Sequence, residues 1–416
     1  MTRRIILLLS GLFALAAGAA AADPVVGPRP QAGDDAVMEG APGHRVETWV
    51  AGLEAPWSLV FLPDGRAGES PRASKDAPLS GRALVSERPG RIRLIQNGVL
   101  APEPYATLDV ATGGEGGLMG LALHPDFPRT PFVYAMHTYF PGPIPVLHRQ
   151  NRVVRLRDQG GKGAFDRVVF DGIPGAFNHN GGRIGFGPDG MLYVATGETY
   201  QAELAQDRNS PAGKILRLTP EGQIPPDNPF PDSALYSWGH RNPQGLAWHP
   251  ASGDLFVSEH GPSGEFGLSA HDEINVVVAG GNYGWPRAVG APDLAPFRDP
   301  LVAWKTPTTP PSGIAFWRND LFVATLRSEA LIRIVVTRAG ESPRASKDAP
   351  LSGRAGDNYR VERIERWFAQ GEARPGRLRD AVAGPDGALY VLTNNRDGRG
   401  RARDGDDKIL RLSPAR

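Results

Sequence analysis

Two segments of this chain put reactive polar side chains directly ahead of apolar stretches. The first runs Asn178-His179-Asn180-Gly181-Gly182-Arg183 and leads into Ile184-Gly185-Phe186. A Pro188-Asp189-Gly190 turn and a second apolar stretch, Met191 to Thr196, follow, and Glu198 comes just after them. In an up-and-down antiparallel sheet the chain returns to its starting edge after two strands. His179 and Glu198 are therefore predicted to meet. A carboxylate beside an imidazole fixes its tautomer and raises its basicity, as a general base requires. A histidine standing alone is more often a satisfied structural residue, but this one has a partner. The second segment, Ser237-Trp238-Gly239-His240-Arg241-Asn242-Pro243-Gln244, likewise precedes an apolar stretch.

The elements that must position these groups recur along the chain. An apolar strand followed by a Pro-Asp-Gly type turn begins at Leu59, Leu121, Ile184, Leu246, Ile314 and Val382, the fifth copy being degenerate. Pro presets φ and Gly takes a positive φ, so each turn favours a hairpin. Similar units at a spacing of about 60 residues predict an all-β chain. Their number fits a six-bladed β-propeller with four-stranded antiparallel blades, closed radially so that no long sheet edge stays exposed. A β-sandwich with a second domain fits evenly spread repeats less well.

One repeat is of a different kind. Arg66 to Ala83 and Arg338 to Ala355 are identical, residue for residue. Diverged blades do not share such identity, so residues 67–82 and 339–354 read as insertions into turns. They are rich in Ser, Pro, Ala, Gly and charge, which predicts loops.

The first residues, Thr2-Arg3-Arg4, an apolar run from Ile5 and a small-residue break before Asp23, have the pattern of a signal peptide over 1–22. An extension over 23–45 and a propeller over 46–416 would follow. This predicts a periplasmic or secreted protein with no stable membrane anchor. The formal net charge is +1 with both signs interspersed, which argues against a nucleic-acid partner. The chain has no Cys, which excludes disulfides, thiolate metal sites and a cysteine nucleophile.

With strands counted outward from the axis, loops entering first strands and loops between second and third strands share one face. The first class carries Glu115, His179, Arg241, Asn242, Gln244, Arg377 and Arg379. The second carries Glu198, Glu259 to Pro262, and Arg327. Arg241, Arg327, Arg377 and Arg379 would repel one another around one mouth unless an anion sat among them. A ligand with several carboxylates or phosphates is therefore expected. No dinucleotide fingerprint, P-loop, nucleophile elbow or zinc spacing is present.

The segments HNGGRIGFGPDGMLYVATGE, SWGHRNPQGLAWHP, SEHGP, DEINVVVAGGNYGWP and GRLRDAVAGPDGALYVL resemble the soluble pyrroloquinoline quinone (PQQ)-dependent aldose sugar dehydrogenases. The likeness runs from about Val46 to the C-terminus, interrupted by the two insertions. It implies a six-bladed propeller with PQQ on the axis. It implies that His179 takes the anomeric hydroxyl proton of an aldose, that Glu198 orients His179, and that hydride passes to the quinone to leave a lactone. Arg241, Asn242, Gln244, Arg327, Arg377 and Arg379 would hold PQQ, with Glu115 near it. The carbonyls of Gly261 and Pro262 would bind the Ca²⁺ that polarises the quinone, and Glu273 with the Tyr283 carbonyl a second Ca²⁺. Arg327 stands where some members carry Lys, and Trp304 is a candidate neighbour of the sugar. An unidentified electron acceptor would complete the cycle, in a monomer or homodimer. Two other classes stay open: a non-catalytic sugar- or protein-binding propeller, and a calcium-dependent lactonase. The lactonase would need carboxylate and Asn ligands converging on an axial metal, where this sequence offers arginines.

Overall fold

Each of the six apolar repeats becomes the inner strand of one blade. A computed structural model describes residues 23–28, 34–63, 81–142, 148–338, 358–372 and 374–415. Blade 1 is built from Pro56–Phe61, Arg82–Glu87, Arg91–Gln96 and Val99–Thr107. Blade 2 uses Leu118–Leu123, Phe132–Tyr139, Arg149–Asp158 and Gly163–Gly175, and blade 3 Ile184–Phe186, Leu192–Thr196, Lys214–Leu218 and Leu235–Trp238. Blade 4 uses Pro243–Trp248, Leu255–Glu259, Asp272–Val277 and Val302–Trp304, and blade 5 Pro311–Trp317, Asp320–Thr325, Leu331–Arg338 and Tyr359–Trp367. Blade 6 takes Leu378–Ala383, Leu389–Thr393 and Ile409–Pro414 from one end of the chain and His44–Val50 from the other. This gives six antiparallel blades, and no α-helix occurs among the described residues. No helix there is long and apolar enough to cross a membrane.

The 23–45 extension adds strands rather than a separate unit. Asp34–Val37 pairs in parallel with Tyr359–Trp367, the outer strand of blade 5. Val25–Val26 pairs in parallel with Ala288–Val289. The proposed signal segment, residues 1–22, lies outside the described residues.

The turn residue Asp is the hinge on which the blades are pinned. Asp189 Oδ1 accepts the Met191 N–H, while Oδ2 accepts the Tyr193 hydroxyl at 3.0 Å and Arg217 Nε at 2.9 Å. Asp386 repeats this with Ala388 N–H, Tyr390 at 3.0 Å and Arg411 Nε at 2.9 Å. One carboxylate thus ties the turn to the second and third strands with charge-assisted bonds. In the degenerate fifth repeat only the arginine survives: Arg333 Nε donates to Asp320 at 2.7 Å.

The core is distributed between blades. Leu59 and Val85 meet Tyr390 and Ile409 between blades 1 and 6. Ala122 and Tyr134 meet Ile184 and Leu192 between blades 2 and 3, and Phe256 and Ile274 meet Ile314 and Leu321 between blades 4 and 5. Each fully buried side chain of this kind contributes about 1.5–3 kcal/mol.

The duplicated segments fall almost wholly outside the described residues, but the strands that flank them do not. The Leu62 N–H donates to the Arg82 carbonyl at 3.0 Å, and Arg338 pairs with Tyr359. These are first-to-second and third-to-fourth turns, on the face away from the loops that carry His179 and Arg241. Deleting 67–82 lets Arg66 take the place of Arg82. Lengthening a flexible loop costs only about 0.6 kcal/mol per doubling. Removal of 67–82 and 339–354 together is expected to leave catalytic turnover within about two-fold and the melting temperature unchanged or slightly raised. A thermal melt and a rate assay on the double deletion check this; lost activity with the fold intact would place the inserts at the active face.

Candidate active site

Glycines allow the catalytic loops to touch. A Cβ on Gly197 would lie 2.0 Å from the His179 carbonyl oxygen, and one on Gly114 would lie 2.0 Å from that of Phe177. Without side chains there, the loop carrying Glu198 and the loop carrying Glu115 both close on the 177–179 backbone. His179 itself sits in the left-handed region at φ 57°, a conformation a non-glycine residue keeps only where its surroundings hold it. Glu115 does so: its Oε2 accepts the His179 N–H at 3.0 Å and Asn242 Nδ2 at 3.1 Å. Burial would raise the Glu115 carboxyl, but His260, His179, Arg399 and that N–H bring it down to about 2.

His179 and Glu198 meet as the strand count predicts. His179 Nδ1 lies 2.5 Å from Glu198 Oε1, with the two residues 5% and 1% exposed. His179 Nε2 lies 3.0 Å from Arg241 Nη2. A guanidinium can only donate. Nε2 is therefore the acceptor, and Nδ1 carries the proton toward Glu198. This is the neutral tautomer with its lone pair on the atom that lines the cavity side. The ring of Tyr200, half exposed, lies 4.3 Å from that of His179.

These groups border a cavity of about 550 Å³ on the axis, lined also by Glu115, His260, Arg327, Arg377 and Arg399. Asn242, Gln244 and Arg379 are buried, 0%, 2% and 3% exposed. Gln244 Oε1 accepts Arg379 Nη1 at 3.0 Å, and its Nε2 donates to Asn242 Oδ1 at 3.0 Å. The expectation of four unneutralised arginines needs correction. Arg377 Nη2 pairs with Asp397 at 2.8 Å, and Arg241 Nη2 with Glu265 at 2.5 Å. Both carboxylates come from loops between second and third strands. Arg327 is exposed. Arg379 touches only neutral side-chain oxygens, those of Gln244 and Ser312. Burial lowers its pKa to about 9; Asp397 opposes this, while Arg88 and Arg377 add to it. The Nε atoms of Arg88, Arg241 and Arg379 and Nε2 of His260 are buried without a partner. His260 is pushed down to about 3, chiefly by burial. Three buried guanidinium N–H groups without acceptors fit a ligand that brings carboxylate or carbonyl oxygens.

A second, small cavity of about 20 Å³ adjoins the first. It is lined by Glu259, Gly261, Pro262, Glu273 and Tyr283, and Pro262 lines both. Burial and the neighbouring Glu259 push Glu273 well above the usual carboxyl range. Two crowded carboxylates in a space for about one water or ion fit a dication. Among the described residues no group of three or more His, Asp or Glu surrounds a common point, so backbone carbonyls must complete any such shell.

Two other arrangements are excluded by access. Ser237 Oγ, His240 and Glu259 form a Ser–His–Glu chain with both contacts at 2.8 Å. Ser237 and His240 are 0% exposed, so no substrate reaches them. Trp304, a candidate sugar neighbour by sequence, is also 0% exposed and pairs with Asp272 in the outer strand of blade 4.

Residues 53–410 match the glucose/sorbosone dehydrogenase family over nearly the whole propeller. The chain belongs to the glucose/sorbosone dehydrogenase family. It is an oxidoreductase of that family. It is 31% identical over 400 residues to the aldose sugar dehydrogenase YliI of Escherichia coli, covering 89% of this chain and 93% of that protein. Among solved structures, a glucose dehydrogenase-type oxidoreductase from Thermus thermophilus is 52% identical with a TM-score of 0.76, covering 89% of this chain and 100% of that one. The PQQ-bound aldose sugar dehydrogenase of Streptomyces coelicolor is 38% identical with a TM-score of 0.71, covering 90% and 99%.

In this family member the mouth also holds residues that the spacing in the sequence does not point to. Arg399 Nη2 donates to Asn178 Oδ1 at 2.8 Å, and Arg399 also lies 3.5 Å from Glu115. Asn178 Nδ2 in turn contacts the Tyr200 hydroxyl at 2.5 Å. Arg399, Asp397, Tyr200 and Glu265 all sit in loops between second and third strands. The strand count that brings Glu198 to His179 places these loops on the same face but fixes no pairing within them.

Proposed function

We propose that this protein is a PQQ-dependent aldose dehydrogenase that oxidises the anomeric carbon of a sugar to the lactone. The observation that carries the reading is the His179 ring, neutral, fixed through Nδ1 by Glu198, with Nε2 at the wall of an axial cavity that four arginines help to line. The PQQ-bound relative from Streptomyces coelicolor supports it.

PQQ, a tricarboxylate o-quinone, would supply the two-electron acceptor for the sugar's hydride. Arg241, Asn242, Gln244, Arg327, Arg377 and Arg379 would hold it, with Glu115 beside it; the buried Nε–H groups of Arg241 and Arg379, which have no partner, match its carboxylates and carbonyls. The carbonyls of Gly261 and Pro262 would hold a polarising Ca²⁺, and Glu273 with the Tyr283 carbonyl a structural one. His179 Nε2 accepts the anomeric hydroxyl proton once Arg241 gives way. Glu198, 1% exposed, stabilises the imidazolium that forms, because its charge is little screened there. The mature protein works outside the cytoplasm, exported by the segment before Asp23.

The test is reconstitution. The purified protein with PQQ and Ca²⁺ should reduce an artificial dye in the presence of aldoses and yield lactone. No sugar-dependent reduction at saturating PQQ would sink the reading. Calcium gives a separate check. At a hundredfold excess over its Kd, a ligand specific to the folded state contributes about 2.7 kcal/mol. Ca²⁺ is expected to raise the melting temperature of the cofactor-free protein by a few degrees, EDTA to reverse this, and Glu273→Gln to diminish it. A melting temperature indifferent to both additions would count against the metal.

A further inference from the structure

We propose that Glu265 is a positioning residue for this reaction: it retains the Arg241 guanidinium so that His179 Nε2 is freed when a substrate hydroxyl arrives. The inference rests on the proposed role of His179 as the base, and it concerns Glu265, a residue to which that reading gives no part.

The imidazole has one lone pair, on Nε2, and Arg241 Nη2 donates to it at 3.0 Å. A base in that condition is capped. The same Nη2 carries a second N–H, which meets Glu265 Oε1 at 2.5 Å. Arg241 is 2% exposed, and its Nε has no partner. Its other side-chain bond is Nη1 to the His260 carbonyl at 3.3 Å. A buried guanidinium leaves one acceptor cheaply only if a stronger one keeps hold of it. Glu265 is that acceptor, and it is anionic: burial raises its pKa, but Arg241 and the Ser263 N–H lower it below the usual carboxyl range.

The loop is built to present this carboxylate. Glu265 Oε2 accepts the Ser263 N–H at 2.6 Å, so one oxygen is fixed and the other is turned to Arg241. Ser263 and Ser269 bridge the loop's two ends. Phe266, at φ 54°, packs edge-on against Trp285 at 5.9 Å, and Arg241 lies over the same Trp285 ring at 5.4 Å. One indole therefore seats both the guanidinium and the loop that holds its counter-charge.

The test uses the full chain with Glu265→Gln, which keeps the shape and removes the charge. Cofactor-free protein labelled with ¹⁵N-histidine gives the first readout, with the His179 signals assigned by their loss in His179→Gln. In Glu265→Gln the guanidinium should shift onto Nε2, and the Nε2 resonance should move while the melting temperature stays within about 2 °C. In the PQQ-loaded enzyme, kcat should fall about tenfold, with KM for the sugar and PQQ affinity within about threefold. An unmoved Nε2 resonance, or a kcat within two-fold of the parent, overturns the proposal. If the parent protein oxidises no sugar with PQQ, the proposed function fails by itself. The nitrogen spectra then still decide whether Glu265 governs the contact between Arg241 and His179.

Discussion

Replacing His179 by alanine is expected to lower turnover by about 10²-fold or more while PQQ still binds. Among the described residues the ring is the one acceptor at the cavity wall whose far nitrogen is committed to a buried carboxylate. His260, also at this wall, is pushed down to about 3 and is crowded by Arg379 and Arg241, so it is too weak a base to substitute. Single-turnover kinetics on the PQQ-loaded variant, with PQQ affinity measured alongside, provide the check. A variant that turns over at near the parental rate would remove His179 from the mechanism, and lost PQQ binding would make it a structural residue instead.

The second large effect comes from Arg379, and it should have opposite signs on two measurements. Arg379 is 3% exposed and bonds only to Gln244 and Ser312. Asp397 and Glu115 act on it only at a distance, and a buried cation with no carboxylate bonded to it is a cost to the cofactor-free fold. Arg379→Met should therefore leave the melting temperature of that form unchanged or raised. The same substitution should weaken PQQ binding by about 1.5–3 kcal/mol, because a charge-assisted bond to a carboxylate is lost. Arg377→Met is the contrast. Asp397, its partner at 2.8 Å, has a side chain only 2% exposed, so losing Arg377 strands a buried charge and should lower stability and PQQ affinity together. Titration of PQQ by fluorescence and thermal melts of both variants separate the cases. Equal PQQ affinity in Arg379→Met would mean that the cofactor lies elsewhere or is another molecule.

Much of the fold was legible because the Pro-Asp-Gly turn is a local signal. It recurs where the inner hairpin of a blade turns, and Asp189 and Asp386 show what it is for. The meeting of His179 with Glu198 was legible for a similar reason: two strands of known length return the chain to one edge. What the sequence hid depends on loop geometry or distant pairing. Glu265 and Asp397 sit in loops without a strand register, so nothing in their spacing announced that they would neutralise Arg241 and Arg377. Trp304 sits in an outer strand, and only its packing with Phe256 and Ile274 reveals that it is part of the core. The glycines at 114 and 197 look like ordinary turn residues until the carbonyls of Phe177 and His179 are seen against them.

The junction in blade 6 bears on how the ring forms. Pairs such as Arg411 with Glu47 and Leu412 with Val46 join residues from opposite ends of the chain. Contacts at that sequence separation raise the contact order, and their loop-closure entropy must be met before the contacts return anything. Blades 2 to 4 pair only with strands near them in sequence, so they can assemble as a growing row. The ring cannot close until His44–Val50 docks on Ile409–Pro414 and the layer holding Val50, Leu59 and Tyr390 is sealed. Closing the ring is then a long-range step, entropically costlier than pairing within a blade. The axial cavity takes its walls from blades 2 to 6, so it needs the closed ring.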